Sequence, residues 1–355
     1  MGKKKVLIVG SSLKDKGGIV TVINNLLNSK LNNYYELQHL ATYINSNRIN
    51  QVIFYLKSLI KFLANVLFNK PDLIYVHVSY KGSFYRKALI ILIANLFRVP
   101  VFMHVHGSKF EVFYNELNYF QRKFSTYILK ICEKVIVLSD YWKKFFSNIV
   151  PKEKIEIIYN GVNFIDYKYN KCNDDPICLF LGRLGERKGT YDLIKAISIL
   201  KTKGVYSNFI LAGDGEVEQV KKYADTLGVK NNTEFLGWIG KEKKIELLSK
   251  ADILVLPSYN EGLPMAILEA MNYGLSIVST YVGGIPEVVT VPENGYLVHP
   301  GEVESLANCL EKLIKDHSLR KKIGIENIKK VKEKYNLENE VSSLIKLIEE
   351  TLSRK

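Results

Sequence analysis

The chain has 355 residues, 47% hydrophobic and 24% charged, which excludes a disordered protein and exceeds what one hydrophobic core organises. Its net charge of +14 is unevenly placed: residues 1–168 carry 24 Lys and Arg against 10 Asp and Glu, and residues 169–355 carry 26 against 26. The first half therefore points to an anionic partner, whether nucleic acid, acidic substrate or anionic membrane, unless the excess is drift in a Lys- and Asn-rich composition.

The basic N-terminus precedes an apolar run too short for a signal peptide. Residues 5–10 read as a first strand and 19–28 as the helix after it, joined by a loop ending in Gly17-Gly18. Strands are expected at 73–78, 101–105, 135–138 and 155–158, and helices at 48–68, 83–97, 117–132 and 140–147. Uncharged apolar runs such as 88–97 are about half a bilayer span, so no membrane crossing is expected. The polar, aperiodic stretch 160–176 reads as a linker. The alternation then restarts, with strands at 177–181, 208–212, 233–236, 253–256 and 276–279. Helices are expected at 188–202, 216–227, 241–249, from Pro264, and at 302–316, 318–334 and 337–353. Two runs of βαβ units predict two Rossmann-like domains with a cleft between them and ligands at the carboxyl ends of the strands. Cys132, Cys172, Cys178 and Cys309 lack paired metal-ligand spacing and read as free thiols.

Within 260–271 two carboxylates, Glu261 and Glu269, stand eight positions apart across a Gly262-Leu263-Pro264 turn. Pro264 suits the first helical position, and Pro264, Ile267, Leu268 and Met271 follow the i, i+3, i+4, i+7 rule of a buried face. Glu269 falls off that face, and the free amides of the helix start attract anions. The pair flanks a phosphate or sugar pocket, or else decorates an ordinary amphipathic helix. Gly182-Arg183 through Lys188-Gly189 leaves the strand 177–181 and ends at a helix start, where Arg183 and Lys188 could clamp a diphosphate or simply face water. Gly213-Asp214-Gly215, Gly237-Trp238 and Gly283-Gly284 are further strand-to-helix turns, each weak alone. The same holds for Gly17-Gly18, which a tight βα turn explains without function. His104 and His106 share a face at the end of strand 101–105. Their spacing suits a metal, but no third ligand follows nearby, and His77 reads as a satisfied core histidine.

Together these motifs resemble the GT4 family of retaining glycosyltransferases, strongest over 177–300 and looser in the first half. The glutamates match the family's E-x7-E pattern, and Gly274-Leu275-Ser276 departs from its usual Gly-x-Pro. The resemblance implies the GT-B fold, α/β, with two facing Rossmann-like domains: 1–165 binding the acceptor, 166–335 binding the nucleotide sugar, and a C-terminal helix in 336–355 returning to the first. It implies that Arg183 and Lys188 bind the donor diphosphate, Glu269 the ribose, and Glu261 with Gly262, Leu263 and Pro264 the donor sugar. His106 would contact a donor hydroxyl, Gly17 and Gly18 the distal phosphate, and Gly182, Gly213 and Gly215 would let backbone approach the donor. The base would lie by Gly237, Trp238 and Ile239. His106, Arg183, Lys188 and Glu261 would form the catalytic set, with no metal and no other cofactor.

The function expected is hexose or N-acetylhexosamine transfer from a UDP-sugar, before GDP-mannose, to a glycan or lipid-linked saccharide in bacterial surface polysaccharide biosynthesis. The basic half, with Lys57 and Lys61 on helix 48–68 and aromatic and basic residues mixed over 112–130, suggests a cytoplasmic enzyme peripheral on an anionic membrane. The alternatives are a non-catalytic nucleotide-sugar-binding subunit, a same-fold epimerase or phosphorylase, and a nucleic-acid binder. No helix-turn-helix, zinc or RNP-type motif accompanies the charge, so no nucleic-acid partner is expected.

Overall fold

The computed structural model describes residues 2–166 and 175–354. The chain divides into two compact units, Met1–Asn163 with Leu337–Lys355, and Phe164–Asn336.

Unit 1 is built on six parallel strands, β1 Lys4–Gly10, β2 Tyr35–Ala41, β3 Leu73–Val78, β4 Val101–Val105, β5 Lys134–Val137 and β6 Ile155–Ile157, in the order β2-β1-β3-β4-β5-β6. Every residue of β3 and β4 is buried, because helices cover both faces of a parallel sheet. The helices are α1 Gly18–Leu27, α2 Leu31–Tyr34, α3 Arg48–Phe68, α4 Gly82–Leu96, α5 Phe110–Asn115, α6 Tyr119–Ile131 and α7 Asp140–Phe146. Phe62, Val66, Phe84, Ile91, Phe110 and Phe146 join the strand residues in one core.

Unit 2 repeats the plan with β7 Ile177–Leu181, β8 Asn208–Ala212, β9 Thr233–Gly237, β10 Ile253–Val255, β11 Ser276–Thr280 and β12 Gly295–Val298, all parallel in the order β12-β11-β10-β7-β8-β9. Its helices are α8 Thr190–Thr202, α9 Val217–Thr226, α10 Lys241–Lys250, α11 Met265–Asn272, α12 Ile285–Val288, α13 Val303–Lys315 and α14 His317–Lys334. The last helix, α15 Leu337–Leu352, belongs to unit 1, where Val341, Leu344 and Ile348 are buried. The Leu337 amide donates to the Val162 carbonyl at 2.8 Å, and the Gly161 amide donates to buried Glu340 Oε2 at 2.7 Å.

Several sequence expectations are corrected. β2 and β12 were not anticipated; each lies at one edge of its sheet, and in β2 the polar Glu36, Gln38 and His39 interrupt the apolar run that marks a central strand. Pro264 precedes α11 rather than opening it, with ψ 121° in the extended region. Gly161 and Val162, placed in the expected linker, are buried and bonded to α15, while 167–174, including Cys172, lies outside the described residues. Cys132, Cys178 and Cys309 are free thiols.

With 21 residues, α3 is long and apolar enough to cross a bilayer by length and composition alone. In unit 1 it lies beside α4, burying Ser58, Phe62 and Val66 and leaving Ile49, Leu56, Ile60 and Phe68 exposed. On α6, Tyr119 and Phe120 are exposed as well.

Candidate functional site

In unit 2 the expected residues gather at the carboxyl ends of β7 to β10. Three strand-end turns are laced edge to edge: the Gly182 amide donates to the Ala212 carbonyl at 3.0 Å, Leu184 to Asp214 at 2.7 Å, and Gly213 to Gly237 at 2.7 Å. Gly182, Gly213, Gly215 and Gly237 thus border one main-chain rim. Trp238 is exposed and Ile239 half-buried just beyond it. Arg183 stands exposed on the same rim and forms no ion pair with a described residue.

Lys188 lies in the short 3-10 turn Glu186–Lys188 and donates to Glu261 Oε1, both side chains being largely buried. Ser258 Oγ donates to the same oxygen at 2.8 Å. Two glycines permit this closeness. At Gly189, with φ 67°, a side chain would collide with the Pro257 carbonyl, and at Gly283, with φ 54°, with the Glu261 carbonyl. The Gly284 amide donates to the Gly262 carbonyl at 2.8 Å, tying the α11 turn to the loop after β11. Leu263 and Pro264 are buried in that turn.

Glu269 has a different partner. Lys244 on α10 donates to its Oε1 at 2.6 Å. Each glutamate thus accepts from a lysine of its own, Glu261 from Lys188 and Glu269 from Lys244. Ser258 and Lys244 were not assigned roles from sequence. Nothing in the sequence separates Lys244 from Lys241 and Lys243 beside it.

In unit 1, Gly17 and Gly18 are exposed at the start of α1, where Gly17 has φ 129°. His106 follows β4, and its amide donates to the Val78 carbonyl at 2.8 Å. Its ring lies 3.9 Å from the His104 ring, so the two do share a face. His77 overturns two expectations. It sits beside His104 in the register of β3 on β4, and its Nδ1 shares a 2.9 Å hydrogen bond with His106 Nε2. It is buried, but its own Nε2 has no partner among the described residues, so it is not a satisfied core histidine. It also supplies the third nitrogen thought to be missing: His77, His104 and His106 bring one ligand atom each within 4.8 Å of one another. The 2.9 Å His77–His106 contact is shorter than the roughly 3.3 Å between two ligands of a tetrahedral zinc, so the rings would have to part to hold one.

Burial sets the charge state of this group. Desolvation pushes the His106 imidazole down to about 3 and holds His77 and His104 well below the usual histidine range, with their mutual repulsion adding to it. All three are neutral near pH 7. His104 Nδ1 and the Tyr75 hydroxyl share a 2.6 Å hydrogen bond. Lys87, buried and bonded to Ser83 Oγ at 3.1 Å, is lowered to about 7 by desolvation.

Residues 162–331 match the model of glycosyl transferases group 1, and residues 9–164 that of glycosyltransferase family 4. An uncharacterized glycosyltransferase of Methanocaldococcus jannaschii is 31% identical over 282 residues, 79% of this chain and 75% of the relative. A capsular polysaccharide biosynthesis glycosyltransferase of Staphylococcus aureus is 27% identical over 237 residues, 60% of this chain and 62% of the relative. Among solved structures, the Anabaena protein HepE in complex with UDP-glucose has a TM-score of 0.76 at 20% identity, covering 99% of this chain and 100% of its own.

Proposed function

From the chain's membership of the family 4, group 1 glycosyltransferases, with their GT-B fold, we propose that it is a retaining transferase using a UDP-linked hexose or N-acetylhexosamine. The observation that carries this reading is the Lys188–Glu261–Ser258 cluster on the glycine rim of unit 2. Lys188 and Arg183 neutralise the diphosphate as the sugar leaves, a preorganised electrostatic role that requires no metal. Glu261, with Gly262, Leu263 and Pro264, holds the sugar, and Glu269 the ribose hydroxyls. The base lies by Gly237, Trp238 and Ile239. From unit 1, Gly17 and Gly18 serve the distal phosphate and His106 a donor hydroxyl. UDP is preferred to GDP because HepE was captured with UDP-glucose.

The acceptor is a glycan or lipid-linked saccharide of surface polysaccharide assembly, a reading supported by the capsular relative. The exposed apolar side chains of α3 and α6, among Lys57, Lys61, Arg122 and Lys123, support work at the cytoplasmic face of an anionic membrane. A thermal-shift screen across nucleotide sugars tests the donor: one UDP-sugar should raise Tm, the shift growing with the logarithm of its concentration above Kd. A shift by GDP-mannose alone replaces the donor, and no shift by any nucleotide sugar removes the reading.

A further inference from the structure

We infer that His77 is a positioning residue that locks His106 as a neutral hydrogen-bond donor through Nδ1. The inference rests on the proposed contact between His106 and the donor sugar, but its structural half stands apart from that contact.

Both rings are neutral, so the 2.9 Å contact between His77 Nδ1 and His106 Nε2 contains one proton. Two placements are possible. If the proton sits on His106 Nε2, His77 must carry its own on Nε2, which is buried and has no partner among the described residues. A buried N–H without an acceptor loses its bonds to water and gains nothing in return. If the proton sits on His77 Nδ1, that group donates to His106 Nε2 and leaves no buried N–H of either ring unpaired. His106 then carries its own proton on Nδ1, which makes no bond to a described residue. The second placement avoids the defect.

Rigidity supports the assignment. The His77 and His106 rings lie nearly parallel, at 15° with centroids 5.0 Å apart, as an edge-to-edge N–H···N bond requires, and the His104 ring lies 3.9 Å from His106. The backbone is held equally closely: a side chain at Gly107 would press on the Ser79 main chain, so the turn after β4 sits tight on the end of β3. A ring held between two others, with Nε2 engaged, can meet substrate only through Nδ1–H. His106 therefore donates to an oxygen and takes no proton from it at that atom. This role differs from the general base that a histidine at a strand end first suggests.

Long-range 1H–15N correlation spectra of the full chain, selectively labelled in histidine, read the tautomer directly, with assignments from His77→Asn and His106→Ala. The wild type should show His106 protonated at Nδ1 and bare at Nε2. Protonation at Nε2 overturns the inference. His77→Asn, whose amide can reach the Nδ1 position, should keep the tautomer and stay within about threefold of wild-type kcat/KM. His77→Leu should release the tautomer and lower kcat/KM by about 10- to 100-fold with the Tm retained. Equal activity in His77→Leu and His77→Asn also overturns it. If the tautomer is as stated while His106→Ala transfers sugar normally, the proposed donor contact fails and the tautomer assignment survives.

Discussion

The two units run the same parallel βαβ plan and equip its carboxyl end in opposite ways. In unit 2 the strand ends hold preformed ion pairs, Lys188 with Glu261 and Lys244 with Glu269, in a half of the chain whose charges cancel. In unit 1 they hold neutral rings, His77, His104 and His106, stripped of charge by burial in a half that carries the whole basic excess. A fold thus supplies a place for ligands without choosing the chemistry. Ion pairs suit a ligand bearing full charge. Neutral donors suit hydroxyls, where a charged imidazole would cost desolvation without a counter-charge.

The sharpest way to break this contrast is Lys188→Ala. Loss of one diphosphate contact should slow transfer about 30- to 1,000-fold, on the order of 2–4 kcal/mol. Because Glu261 is then left buried without its cation, Tm falls as well, and rates must be compared below the new transition. Glu269→Ala should instead weaken nucleotide binding and spare kcat at saturating donor. Near-normal turnover in Lys188→Ala would contradict the division of labour between the two pairs.

The basic half is tested on vesicles. Each lysine near an anionic surface contributes about 1 kcal/mol, so Lys57→Glu with Lys61→Glu should reduce sedimentation with anionic liposomes by at least about 30-fold. Wild-type binding should fall with added salt. Indifference to both lipid charge and salt would sink membrane docking and leave the exposed apolar residues of α3 without that explanation.

The smallest effect concerns Glu340. Burial raises its carboxyl from 4.5 to about 8. The unfolded chain gives up that proton at lower pH than the folded one. The associated stability is therefore full below about 4.5 and is lost as pH rises through about 8. Glu340→Gln keeps an oxygen for the Gly161 amide and has no proton to lose. It should gain on wild type by about 3–6 °C in Tm between pH 5 and pH 9. A constant gap across that range would mean that Glu340 is already ionised in the folded protein.

Most of the central strands were legible because burial on both faces leaves uninterrupted apolar runs such as Ile177–Leu181. β2 was not, because Glu36, Gln38 and His39 break its apolar run, and neither was β12, which is only the four residues Gly295–Val298. The site residues were legible as motifs, but their pairings were not. Lys188 and Glu261 are 73 positions apart, and only the packing of the turn at Gly189 against Pro257 brings them together. His77 carried one usable signal: it is the penultimate residue of its strand, as His104 is of the next, and parallel strands in that register place the two side by side.

The return of α15 to unit 1 sets an order of events during synthesis. The ribosome finishes the six strands of unit 1 and then all of unit 2 before it makes the helix that brings Val341, Leu344 and Ile348 into the first unit. Until then the apolar surface awaiting α15 is uncovered and the Gly161 amide lacks Glu340. The first-made unit is the last completed, and the nascent chain carries an exposed seam for the whole translation of the second.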